Sequence, residues 1–216
     1  MVAHITEGSN LDKDGQPFRR RIYRPAIAAL AVLATLTALS WAVVLTRPVT
    51  VDEVSACNAP PAATDSDAPA LGARVSASSL VEVAPAKLAD TKIRVLNASG
   101  RGGQAGEVAG ALRDLGFTAP TAANDPIYAG SRLNCQGQLR FGQDGRFAAA
   151  STWLVAPCVE LYQDDRDDDS VDLVIGTDFT SLSNSDDISA VLSSLRPGAT
   201  EPTDSRLLTR IHSGTC

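Results

Sequence analysis

Apolar and polar residues follow two different periods along the second half of this chain. Ile93 and Val95 alternate with Lys92 and Arg94, the two-residue period of a strand with one face in a core. The period then changes: Ala105, Val108, Leu112 and Leu115 recur at spacings of three and four, while Glu107, Arg113 and Asp114 fall off that stripe. Such spacing predicts a helix with one buried face. Gly116 follows the last apolar residue, where a helix end tolerates a left-handed residue, and Phe117 opens a second extended run. Strands are therefore predicted over Lys92–Asn97 and Phe117–Ala122, framing one helix.

The same arrangement returns further on. Gln138–Phe141 and Val159–Gln163 read as strands on either side of a helix at Asp144–Ala156, and Val171–Gly176, VDLVIG, is apolar enough to be a buried central strand. A last helix is predicted over Asp186–Leu195, with Ser185 as its N-cap and two aspartates in its first turn, ended by Arg196, Pro197 and Gly198. The fold expected from these elements is an α/β (α+β) sandwich, a mixed sheet of about five strands with two or three helices.

Before this body lies a segment of another kind. Pro25–Thr46 carries no charged residue over a length close to the ~20 residues that span a bilayer, so one transmembrane helix is expected there. Arg19, Arg20, Arg21 and Arg24 precede it, whereas one arginine, Arg47, follows before Asp52 and Glu53; that asymmetry predicts a cytoplasmic N-terminus. A signal peptide has a shorter apolar region. A lipobox at Val54–Cys57 is set too far from the apolar run by Arg47, Asp52 and Glu53. The expected organisation is a cytoplasmic tail (1–24), the membrane helix (25–46), an Ala/Pro-rich extracytoplasmic linker (47–91), the α/β domain (92–195) and an irregular C-terminal tail (196–216) tied by a disulfide.

Composition sharpens the picture at the cysteines and the charges. The four cysteines, Cys57, Cys135, Cys158 and Cys216, all follow the membrane segment, and an even number in an oxidising compartment predicts two disulfides. Three connectivities exist; the favoured one pairs Cys135 with Cys158, since each precedes a strand of a parallel pair, and leaves Cys57 to Cys216. A net charge of -6 outside the membrane argues against nucleic acid as a partner.

Candidate chemistry is sparse. Gly100, Gly102 and Ala105 match GxGxxA between a strand and a helix, with Asp125 roughly twenty residues on. No nicotinamide pool is expected outside the membrane, so no cofactor is expected. The alternatives are an anion site at the helix N-terminus assisted by Arg101, or a plain turn in which Asn97 or Ser99 bonds the backbone. Candidate ligand-binding residues are Asn97, Ser99, Arg101, Gln104 and Arg140. The acidic run Asp164–Asp172 has Ser170 where a calcium loop needs glycine, so a solvated turn is expected there. His212 is the one histidine after the membrane segment, which leaves neither a zinc set nor a Ser-His-Asp arrangement in prospect. Neither catalytic nor metal-ligating residues are predicted.

VLNASGRGGQAGEVAGALRDLGF in the first half of the body resembles the opening of the LytR C-terminal domain family. NDPIYAG at Asn124–Gly130, NCQGQLRFG at Asn134–Gly142 and WLVAPCVELYQDDRDDDSVDLVIGTDF at Trp153–Phe179 extend the resemblance to the envelope-integrity proteins of actinobacteria within it. The resemblance covers roughly Lys92 to Phe179. It implies a membrane-anchored, extracytoplasmic, non-catalytic protein that supports the cell envelope. The partners it implies are a cell-wall glycopolymer or an envelope-assembly protein, such as a LytR-CpsA-Psr ligase, with the membrane held through Pro25–Thr46. The LytR-CpsA-Psr phosphotransferase unit that often accompanies this module has no room before Lys92. A small cell-wall hydrolase or transferase, or a structural spacer, is the alternative.

Overall fold

The computed structural model describes residues 23–46, 56–62 and 69–213. Most of the expected cytoplasmic tail, residues 47–55 and 63–68 of the expected linker, and Cys216 lie outside the described residues. The chain divides into two units, Met1–Val49 and Thr50–Cys216.

In the first unit, α1 (Arg24–Thr46) is one continuous helix. Pro25 stands in its first turn, where a missing N–H costs nothing. The hydroxyls of Thr35, Thr37 and Ser40 donate to the carbonyls of Ala31, Leu33 and Leu36 one turn back, so these polar groups are satisfied without water. Its length and apolar composition suffice to cross a membrane.

The second unit is built on a six-stranded sheet in the spatial order β1 (Ala73–Val75), β5 (Glu160–Gln163), β4 (Gly137–Phe141), β6 (Val171–Ile175), β2 (Ile93–Asn97) and β3 (Thr121–Asn124), with a one-turn helix, α2 (Ser78–Val81), between β1 and β2 in the chain. Two strand-helix-strand units contribute parallel pairs, β2 with β3 across α3 (Gln104–Leu115), and β4 with β5 across α4 (Arg146–Trp153). Between them lies β6, parallel to β2 and antiparallel to β4, with all five residues buried. The duplicated pattern and the central strand are as expected; the sixth strand is not. Ala73–Val75, inside the stretch expected as linker, pairs antiparallel with β5 and caps that edge of the sheet.

One face of the sheet carries the main core. Val95, Leu139, Phe141, Leu173 and Ile175 point there and meet Val108 and Leu112 of α3, Ala149 and Trp153 of α4, and Val191 and Leu192 of α5 (Asp186–Ser194). Ser185 caps α5 by accepting from the Ile188 amide, as its position predicted. The second strand begins four residues later than expected. Phe117 is buried in the turn after α3, its amide donating to the Leu112 carbonyl while Gly116 takes φ 107°. The apolar residue thus closes the helix end, and Pro120 delays the ladder.

The opposite face, free of the described helices, carries a row of charged and polar residues beside a smaller apolar cluster that includes Leu96 and Val174. Register places Arg94, Asp172, Arg140, Tyr162 and Arg74 in one row across β2, β6, β4, β5 and β1. Arg94 pairs with Asp172 at 2.6 Å, and Arg166 bridges Asp172 and Asp164 at 2.7 and 2.6 Å. The acidic run is therefore not merely a solvated turn: its two ends are drawn onto the sheet by one guanidinium. That guanidinium holds the Asp164 carboxyl below the ordinary value against the opposing effect of burial. Burial, then the hydrogen bond to Glu160, pushes the Tyr162 phenol up to about 12.

The cysteine pairing differs from the favoured one. Cys57 is bonded to Cys135, not Cys135 to Cys158; Cys158 is itself in a disulfide. The strands β4 and β5 are neighbours as argued, but Cys135 turns into a small cluster with Leu96, Tyr128 and Val174, while Cys158 lines a separate hollow with Phe179 and Leu182. Residues after Cys57 lie on that small cluster: the Asn58 amide donates to the Arg132 carbonyl at 3.0 Å and the Tyr128 hydroxyl to the Asn58 carbonyl at 2.6 Å. The expected irregular tail contains α6 (Ser205–Ser213), whose Leu207, Leu208 and Ile211 pack on the main core.

Candidate functional site

Parallel β2, β3 and β6 end at one edge of the sheet, and antiparallel β4 and β5 begin there. The turns at that end come from four places in the sequence, the arrangement in which α/β sheets place their ligand crevices.

The β2–α3 turn is held by its own side chains. Asn97 donates from Nδ2 to the Arg101 carbonyl at 2.6 Å and accepts, at Oδ1, the Ser99 amide and hydroxyl at 3.0 and 2.8 Å. The Ser99 hydroxyl oxygen accepts the Arg101 amide at 3.1 Å and lies 2.5 Å from Gln104 Oε1. Arg101 Nη2 and Gln104 Nε2 then both donate to the Phe179 carbonyl, at 2.5 and 3.1 Å. Four of the five candidate residues thus form one network that fastens the turn to the loop after β6. Asn97 and Ser99 are occupied within the turn, as the plain-turn alternative had it. Arg101 and Gln104 reach the surface of a groove.

Arg140, the fifth candidate, is elsewhere. It lies on the helix-free face, 3% exposed, bonded to Asp125 at 2.7 Å and to Gln138 at 2.7 Å, with the Tyr128 ring 5.9 Å away. It is a buried structural charge, not a ligand contact. Asp125, the acidic residue that completed the dinucleotide pattern, is consumed by the same pair and by the Tyr128 amide at 3.0 Å. Gly100 is equally committed: at φ +77° a Cβ there would stand 2.7 Å from Arg132 Nε, so its missing side chain makes room for an arginine of this chain.

The groove has a volume of about 430 Å³ and runs between the exposed side of α3, with Gln104, Glu107 and Ala111, and the segment Thr180–Leu182. A second hollow of about 180 Å³ lies across that segment, against Gln136, Pro157 and Phe179. The loop after β6 was missed as a site element. Its signal was positional: it follows the central strand at the end where the glycine-rich turn also emerges.

His212 offers no hydroxyl a base. Its ring is stacked on Trp153 with centroids 3.7 Å apart, its Nδ1 is buried without a hydrogen-bond partner among the described residues, and burial lowers its pKa to about 4.

Fold and site define a small disulfide-stapled α/β domain with a strand-end groove, encoded after one apolar helix, and the comparisons set it among envelope-associated secreted proteins. The family model described as LytR cell envelope-related transcriptional attenuator matches residues 90–179. The cell envelope integrity protein Cei of Mycobacterium tuberculosis is 61% identical over 216 residues, all of both chains. The crystal structure of the soluble domain, residues 71–217, of a conserved hypothetical secreted protein from Mycobacterium marinum is 66% identical, with a TM-score of 0.67, covering 68% of this chain and 100% of that one. The chain belongs to the LytR C-terminal domain family.

Proposed function

We propose that this chain is a single-pass membrane protein, N-terminus in the cytoplasm and α/β body outside, that supports envelope integrity by binding rather than by catalysis. Its partner is a wall glycopolymer or an envelope-assembly protein, with a LytR-CpsA-Psr-type ligase as one candidate. The observation that carries the proposal is the groove beside Arg101 and Gln104, placed where sheets of this type bind ligands and lined by turns already fastened together. The orientation is supported by the arginines before α1. The outer location of the body is supported by its cysteines, since no described cysteine is free. The name of a relative, a cell envelope integrity protein, supports an envelope component as the partner.

Full-length protein in lipid nanodiscs, mixed with purified wall sacculi and separately cross-linked in intact envelopes, tests this. Arg101→Ala should lower sacculus retention or abolish the cross-link. Failure to retain wall material and to capture any envelope protein removes the proposal. Release of soluble wall fragments that a carboxylate substitution abolishes would instead make the protein a hydrolase or transferase.

A further inference from the structure

We propose that β3 is a docking edge for a second copy of this chain: two β3 strands pair antiparallel across a twofold axis at Ala123, joining two sheets into one, and the two α3 helices meet beside them at Gly106 and Gly110. This pairing lies outside the groove and does not depend on what the groove binds.

β3 is an end strand of the sheet, and its four residues, Thr121, Ala122, Ala123 and Asn124, are all exposed. Its bonds to β2 use alternate residues. The Asp125 amide donates to the Asn97 carbonyl at 3.0 Å, and in a parallel ladder the backbone groups of Ala123 and Thr121, at two-residue steps, turn the same way. Ala122 and Asn124 therefore direct their amides and carbonyls away from the sheet, and no hydrogen bond reaches these groups among the described residues. Natural edges are blunted by charge, proline or bulges. β1, at the other edge, is three residues with Arg74 at its centre, whereas β3 contains neither charge nor proline.

The free groups of β3 fit a copy of themselves. In an antiparallel ladder, residues opposed in a hydrogen-bonded pair exchange both bonds. With Ala123 opposite Ala123 of the second copy, Ala122 of each chain faces Asn124 of the other, and the outward amides and carbonyls of both edges are satisfied at once. No charged side chain of the strand is opposed to its like.

α3 favours a second copy over a lone peptide strand. The helix packs on β2 and β3. Its groove-lining Glu107 and Ala111 lie on one flank, and Gly106, Gly110 and Arg113 lie on the other. Arg113 marks this second flank as the β3 side by donating to the Pro120 carbonyl at 3.4 Å. Glycine inside a helix weakens it, yet a Cβ at Gly106 would meet nothing within 4 Å, and one at Gly110 only the end of the Arg113 side chain at 3.8 Å. Packing within this chain makes no use of either glycine. Across the joined sheet the two α3 helices stand two strand spacings apart, about 10 Å, within reach of the roughly 8–10 Å at which helices pack. A peptide strand alone would leave both glycines bare.

The test uses full-length protein in detergent, where sedimentation velocity over a concentration series should show a reversible monomer–dimer equilibrium. Ala123→Cys should form an intermolecular disulfide on mild oxidation, because residue 123 faces itself across the axis, while Ala122→Cys, facing Asn124, forms little. Ala123→Lys sets two ammonium groups against each other and should raise the dimer dissociation constant about tenfold or more. Gly110→Leu should raise it similarly while the melting temperature holds or rises, since the new side chain replaces a helix-weakening glycine. A monomer at every concentration, with no cross-link through Ala123→Cys, overturns the proposal. A dimer that neither Ala123→Lys nor Gly110→Leu weakens overturns it too, by assigning the contact to another surface.

Discussion

Arg140 takes a full charge to a position 3% exposed, and its partner Asp125 is fully buried. A buried pair of this kind contributes little net stability over an apolar pair of similar shape, but losing one partner strands the other. Arg140→Ala is expected to cost about 3–5 kcal/mol, read as a fall in the urea midpoint, and pairing it with Asp125→Asn should restore part of that loss. Gly100→Ala should cost about 1–2 kcal/mol for the left-handed backbone alone, with further loss from displacing Arg132; a circular-dichroism melt measures it. Arg140 also shows where reading a sequence stops at this scale. Its alternation with Leu139 and Phe141 says correctly that it leaves the helix-side core. Whether the other face is wet depends on what covers it, and the cover comes from around Asn58 and Tyr128, far apart in the chain. Local period carries no information about such distant lids. Asn97 and Ser99, whose partners lie within a few residues, were legible for the converse reason.

Among the elements, α3, β6 and α5 were legible because each is long or apolar enough for its own pattern to decide it. β1 was not. Three residues in an Ala/Pro/Ser-rich stretch have no period, and they become a strand only because β5 offers them an open edge. α6 has apolar Leu207, Leu208 and Ile211 on one side, but nine residues are short for a helix without tertiary packing. That packing has a pH signature. Burial of the His212 ring against Trp153 disfavours its charged form, and its pKa falls from 6.5 to about 4 in the folded chain. A group whose folded value is depressed contributes stability above its unfolded value and loses it as pH falls toward the folded one. The contribution of α6 should therefore be complete above about pH 6.5 and decline toward pH 4. Arg210, paired with Asp187 of α5 at 2.8 Å, stays charged throughout that range. Hydrogen exchange of the α6 amides from pH 7 to 4 should show opening in the wild type, and His212→Phe should abolish the histidine's share of that dependence. Identical profiles for the two proteins would reject the role assigned to this ring.

At the scale of the whole molecule, the division into an apolar helix and an α/β body was legible, since composition changes abruptly at the helix ends. The cysteine framework was not, because sequence supplies the number of thiols and not the faces they take. Cys57→Ser with Cys135→Ser should cost about 2–5 kcal/mol, the usual range for a native disulfide, measured by denaturant titration. Non-reduced peptide mapping should recover Cys57 joined to Cys135, and a Cys135–Cys158 peptide would contradict the fold. The connectivity has a consequence for biogenesis. If the residues after α1 cross a membrane in order of synthesis while the N-terminus stays in the cytoplasm, as proposed, the cysteines reach the oxidising side in sequence order, and Cys57 and Cys135 are the first two to arrive. The native bond joins consecutive thiols. An oxidant that couples whichever pair has emerged therefore makes the correct link before Cys158 is available to compete, and the thiol exchange that a nested pairing would demand is not required.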